Sequence, residues 1–214
     1  LSYKISIILM SENTSKILLT EAHYLPPTAW MKLIKDYPVI CFDTSAHFIK
    51  ASYRNRCHIL SANGILPLSV PLVHGREQRN TLGNVKISYE MAWQKNHWMT
   101  LTSAYRRSAY FEYFEDMVAP LYHTHYDTLM EFNLAALTVV FKILGLKPEI
   151  RFTNDYIEPN TAGYADFRNM ITPKNSTPLD YTFQPYNQVF SDRFPFMENL
   201  SIIDMIFNKG KFDL

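Results

Sequence analysis

The chain has 214 residues, 47% of them hydrophobic and 19% charged, with a formal net charge of +1. This length supports one substantial core, and the composition excludes a disordered chain. The near-zero charge gives no electrostatic reason to expect nucleic acid or an anionic membrane as partner, which leaves a small-molecule ligand as the expectation.

The first ten residues, LSYKISIILM, carry a short apolar stretch but no small-residue cleavage site, so they do not read as a signal peptide. Met10 followed by SENTSK reads as a natural start, with residues 1–9 as an upstream extension. No apolar run approaches the roughly 20 residues that span a bilayer. Two cysteines, Cys41 and Cys57, make no disulfide framework and no Cys-x-x-Cys spacing. Both read as small buried hydrophobes of a reducing cytoplasm.

Ile17 to Leu19 is a short apolar strand, and Pro26-Pro27 then forces the chain to turn. Thr28 can cap a helix over Ala29–Lys35, whose Trp30, Leu33 and Ile34 share a face. Val39 to Phe42 is a continuous apolar run, the pattern of a strand covered on both faces. Two such strands joined by a helix predict a right-handed crossover and a parallel pair. Tyr53 to Leu60 alternates, Ser61-Ala62-Asn63-Gly64 makes a turn, and Ile65 to Val73 returns, which is a hairpin signal. Pro67 and Pro71 mark the returning strand as an edge.

Residues 74–84 read as a long mobile loop and Val85 to Tyr89 as another short strand. Helices follow over Trp93–Arg107, Tyr110–Leu121 and Leu129–Leu144, the last closed by Gly145. Ile150 to Phe152 returns to the sheet, residues 154–187 form a long irregular excursion, and Ser201 to Phe207 closes with a short helix. The fold class is therefore α/β, with a mixed sheet, an N-terminal strand-helix-strand unit, a β-hairpin and a central group of three helices. A single domain over 1–214 is the simpler reading; a boundary near residue 90 is marked by no linker.

Open α/β sheets bind ligands outside the carboxyl ends of their strands. His23 and Tyr24 follow the first strand and Asp43 follows the second, so a parallel pair would turn an imidazole and a carboxylate toward one crevice. The competing reading makes Asp43 the cap of a turn with Thr44 and Ser45. Lys50, Tyr53, Arg54, Asn55 and Arg56 form the densest polar-aromatic cluster. Guanidinium forks suit phosphate or carboxylate, so Lys50, Asn55 and Arg56 are candidate ligand contacts, with Tyr53 beside them. Tyr105, Arg106 and Arg107 gather at a helix end; Tyr105 and Arg106 are further candidate substrate contacts, with pairing to the helix dipole as the plainer explanation. His123-Thr-His125 has two ligand-type residues but no third nearby, so no metal is assigned. No cofactor signature is present: there is no Gly-x-Gly-x-x-Gly, P-loop or Gly-x-Ser-x-Gly sequence.

Three stretches carry a resemblance: TEAHYLPPTAWMKLI, KASYRNRCHILSANGILPLSVPL and YNQVFSDRFPFMENLSIIDMIFNKG. They resemble the WbqC-like family, whose members are associated with gene clusters for bacterial surface polysaccharide, including O-antigen. The resemblance implies a pathway, and no reaction comes with it. Members show a Gln-Pro-Asn-Tyr type loop where this chain has Glu21-Ala22-His23-Tyr24. Tyr24 and Pro26 match while His23 departs, which shifts the expected catalytic weight toward Tyr24 and Asp43 and the ligand contacts toward Lys50, Asn55 and Arg56. Asn199, Ser201 and Asp204 also fit the family pattern, where helix capping explains them equally. The expectation is a transferase-like enzyme acting on an activated or amino sugar, such as a nucleotide sugar. The alternatives are a non-catalytic scaffold of the same pathway, contacting partners through 154–187, and a nucleotidylyl-transferase-like fold without its signature.

Overall fold

The computed structural model describes residues 17–74, 80–175 and 181–211. The expected upstream extension before Met10 lies outside them, as do residues 75–79 of the loop expected over 74–84. Strands β1 (Ile17–Thr20) and β2 (Val39–Phe42) flank helix α1 (Thr28–Ile34) and pair in parallel. Both strands are buried beyond their first residue, which is why their sequences are continuously apolar rather than alternating. Trp30 of α1 stacks on Phe42 of β2 and donates its indole N–H to Thr20 Oγ1 at 3.2 Å.

The hairpin comprises β3 (Arg56–Ser61) and β4 (Gly64–Ser69), paired antiparallel from Arg56↔Ser69 to Ser61↔Gly64. Gly64 takes a φ of 100°, a conformation that closes the two-residue turn and that a side chain would resist. The hairpin forms its own two-stranded sheet. Tyr53 to Asn55 do not extend β3 as their alternation suggested; they lie in the turn that precedes it.

Helices α2 (Trp93–Tyr105), α3 (Phe111–Val118) and α4 (Leu129–Leu144) follow. Pro120 turns the end of the second expected helix into a 3-10 turn over Ala119–Tyr122. Val85 to Tyr89 is not a strand: it makes isolated bridges, Leu72↔Ile87 and Lys86↔Thr128, after a 3-10 turn over Leu82–Asn84. The segment does bury Val85 and Ile87, so its apolar alternation reflects packing without a ladder.

Helix α4 opens on a reciprocal cap. Thr128 Oγ1 accepts from the Glu131 backbone N–H at 3.2 Å, and Glu131 accepts from the Thr128 N–H at 3.1 Å. Thr128→Ala should lower stability by about 1 kcal/mol, read as a drop in thermal midpoint. An unchanged midpoint would show the cap to be idle.

After α4, strand β5 (Glu149–Phe152) pairs with β2, and β6 (Tyr164–Asp166) pairs with β1. The excursion expected over 154–187 thus conceals a strand of only 3 residues. The sheet order is β5-β2-β1-β6, with every pairing parallel. All four carboxyl ends consequently share one edge. The last helix, α5 (Ile202–Lys209), buries Ile202, Ile203, Ile206 and Phe207. The residues before it clamp the loop after β1: Thr28 N–H donates to Leu200 O, Ile202 N–H to Pro26 O, and Ser201 Oγ to Leu25 O at 2.8 Å. Among the described residues no helix is long and apolar enough to cross a membrane.

Candidate functional site

Each strand of the parallel sheet delivers a polar side chain to the shared edge. Glu21 follows β1, Asp43 follows β2, Thr153 follows β5, and Asp166 ends β6, with Arg168 and Asn169 just beyond. Arg168 binds the cluster together. Its Nη1 donates to Asp43 Oδ2 at 2.8 Å, its Nε and Nη2 grip both oxygens of Asp166 at 2.9 and 2.6 Å, and Nη2 also reaches the Ile157 carbonyl. The other Asp43 oxygen accepts from the backbone N–H groups of Ser45 and Ala46, the Ser45 hydroxyl, and Thr153 Oγ1. One Asp43 oxygen thus makes the turn cap with Ser45 and Ala46, and the other meets Arg168. Burial pushes the Asp43 pKa up, but Arg168 and these donors outweigh it and hold the carboxyl below its ordinary value.

A second group lies beneath the exposed Asn169. Glu21 accepts from the Asn169 backbone N–H at 3.1 Å and lies 3.2 Å from His23 Nε2. Arg54 donates through Nη2 to Asn169 Oδ1 at 2.6 Å and stands 3.7 Å from Glu21. Glu21, His23 and Arg54 are all buried. Asn169 adopts a φ of 61°, which asparagine tolerates better than most residues. Its backbone can then face Glu21 while its side chain faces Arg54.

Burial lowers the His23 pKa despite the opposing Glu21, so the ring is neutral at physiological pH. Burial would raise the Glu21 pKa, but the His23 hydrogen bond and the Arg54 charge win and keep it ionised. An ionised Glu21 assigns the proton to His23 Nε2 and leaves Nδ1 as an acceptor with a free lone pair. That atom has no hydrogen-bond partner, and neither do Arg54 Nε and Nη1. Buried charged donors left unpaired cost on the order of 1–3 kcal/mol each or more. Native proteins leave few such groups without a reason. A cavity of about 360 Å³ opens on this edge between Ala46, Tyr156, Asp166, Arg168 and Asn169. The Tyr156 ring lies 5.2 Å from the Arg168 guanidinium.

His23 and Asp43 thus stand at the same edge, with Arg54 beside Glu21 and Arg168 between Asp43 and Asp166. Tyr24 turns the other way. Its hydroxyl meets Tyr122 OH at 2.8 Å and His97 Nδ1 at 3.1 Å inside the helical core, and burial lifts its pKa. Tyr53 is buried beside His23 and His58, with ring centres at 5.8 and 5.5 Å. Lys50 is exposed on the turn before it. Asn55 ties that turn to the Val70 carbonyl at 3.0 Å, and Arg56 sits in β3 opposite Ser69 with a buried, unpartnered Nε. Tyr105 donates to buried Asp204 at 2.7 Å, a contact between α2 and α5, while Arg106 is exposed at the end of α2. Of the Tyr53–Arg56 cluster it is Arg54 that joins the site. No group of three His, Cys, Asp or Glu residues that could hold a metal occurs among the described residues. Both cysteines are buried and free.

The sheet is all-parallel, with carboxylates, guanidiniums and an imidazole gathered at its carboxyl edge, the edge at which open α/β sheets in general bind their ligands. The sequence narrows this further: the chain belongs to the WbqC-like protein family, whose model matches residues 21–172. It is also 24% identical over 225 residues to the uncharacterized protein Rv1507c of Mycobacterium tuberculosis, covering 91% of this chain and 94% of that protein. No solved structure matches it.

Proposed function

We propose that the protein is a cytoplasmic group-transfer enzyme acting on an anionic small molecule at the carboxyl edge of the parallel sheet. The carrying observation is that Arg54 Nε and Nη1 and His23 Nδ1 are buried there without partners. All three nitrogens of Arg168 are engaged by Asp43, Asp166 and Ile157, so it and Asp43 hold the site's shape. Arg54 is the cation with donors to spare. An entering phosphate or carboxylate takes the place of Asn169 Oδ1 on Nη2 and adds a second bond from Nε or Nη1. His23, oriented by Glu21, then accepts a proton from the attacking group through Nδ1. The polysaccharide association of WbqC-like proteins directs the choice of substrate to an activated or amino sugar.

Thermal shift against a panel of nucleotide sugars tests this. At least one compound should raise the midpoint of the native protein, and His23→Gln should keep that binding while abolishing turnover of the bound compound. A panel that moves no midpoint, with the fold intact by circular dichroism, would exclude the nucleotide-sugar reading.

A further inference from the structure

A second concave surface shares no residue with the strand-end site. One cavity of about 940 Å³ runs between α2 and residues 187–193, and another of about 650 Å³ continues it to the hairpin turn. They meet at Met99, Ser103, Ala104 and Phe190, so together they form one open groove along α2. That helix is roughly 20 Å long, which matches about six residues of extended peptide.

The two ends of the groove differ in chemistry. At the hairpin end Ile65, Leu66 and Met99 are 51%, 36% and 57% exposed. At the other end Arg106, Arg107 and Arg193 converge from two elements. Arg193 has Asp192 at 3.7 Å, while Arg106 and Arg107 are exposed and make no ion pair among the described residues. Between the ends, Thr102 Oγ1 is buried in the wall without a hydrogen-bond partner. The helix dipole accounts for one cation at the end of α2, but not for a third arginine brought from another segment. An enclosed pocket would suit a single phosphate. This surface is long, open, cationic at one end and apolar at the other.

We infer that the groove is a docking site for an extended acidic peptide segment of a partner protein, with apolar side chains beside Leu66 and Met99 and carboxylates on Arg106, Arg107 and Arg193. Charge complementarity sets the partner's sign, and the exposed aliphatic end sets its need for large apolar residues. Exposed arginines give such an interface a marked salt dependence.

Fluorescence anisotropy with a labelled peptide of interspersed leucines and glutamates, and a counterpart with every glutamate replaced by glutamine, tests the inference on the full chain. The acidic peptide should bind and the glutamine peptide should not, with affinity falling as salt rises. Arg106→Ala with Arg107→Ala should weaken binding at least about tenfold, and Met99→Glu should weaken it independently by repelling the peptide at the apolar end. All three positions are exposed, so these variants keep the fold. Equal binding of the two peptides, or unchanged affinity in both variants, would overturn the inference. So would displacement of the peptide by inorganic phosphate at matched ionic strength, or capture of phosphatidylserine vesicles in its place.

Discussion

Arg168→Ala lowers folding stability by about 3–5 kcal/mol, the range expected when one partner of a buried ion pair is removed. The Arg168 side chain is only 8% exposed and Asp43 is fully buried, so truncation leaves Asp43 facing Asp166 with no cation between them. Arg168→Lys should recover only part of the loss. A single ammonium cannot hold both oxygens of Asp166, reach Asp43 and satisfy the Ile157 carbonyl at once. Asp43→Asn is the informative companion: its remaining oxygen still accepts from the Ser45 and Ala46 N–H groups, so it should cost less than Arg168→Ala. Urea midpoints of the three variants give the ranking. A loss under 1 kcal/mol for Arg168→Ala would mean that the edge cluster is solvated and that the site geometry needs another account.

Stability falls as pH drops from about 6.5 toward 4, and His97 contributes to the slope. Burial depresses the pKa of His23, His58 and His97, the last from 6.5 to about 4. A depressed imidazole pKa means that the unfolded chain takes up protons first. The contribution is complete above the unfolded value and is lost as pH falls toward the folded one, about 3 kcal/mol for His97 alone. Glu21 and Asp43 act with the same sign at lower pH: their pKa values lie below 4.5 and 3.8, so their contribution disappears only as acid reaches those folded values. Asp204 acts oppositely. Burial raises its pKa despite donors from Tyr186, Tyr105 and Gln188, so its favourable term is lost as pH rises through the folded value. His97→Gln should make the profile between 6.5 and 4 shallower, with His23 and His58 still contributing, while leaving the more acidic limb in place. An unaltered slope in urea titrations across that range would show His97 to be solvated.

The elements legible in the sequence were those whose burial is uniform along the run. Ile17–Leu19 and Val39–Phe42 have no polar interruption, and α4 is marked by its long apolar run closed at Gly145. β6 was hidden because three residues, Tyr164-Ala165-Asp166, can carry neither a period nor a length signal, and its pairing depends wholly on β1. That omission governed the reading of the site. Without β6, Asp166, Arg168 and Asn169 look like loop residues, and nothing in their spacing marks the arginine that joins Asp43 to Asp166. Glu21 was likewise passed over beside His23, although a carboxylate two residues from an imidazole at a strand exit was a readable signal. Taking Tyr53 to Leu60 as one alternating run puts Arg54 in the strand with Arg56, but the backbone is still turning there. The turn sends Arg54 inward to Glu21 and leaves Arg56 to the hairpin.

The clamp between the two ends of the chain bears on how much of the family's shared region is self-sufficient. The matched stretch stops at Thr172, yet the hydrogen bonds fixing the exit of β1, where Glu21 and His23 sit, come from Leu200, Ser201 and Ile202. A fragment cut after the match would keep every charged residue of the edge cluster. It would still strip the greasy underside from α1 and release the prolines that steer the polypeptide past His23. A chain reduced to that stretch would need some other segment to brace this bend.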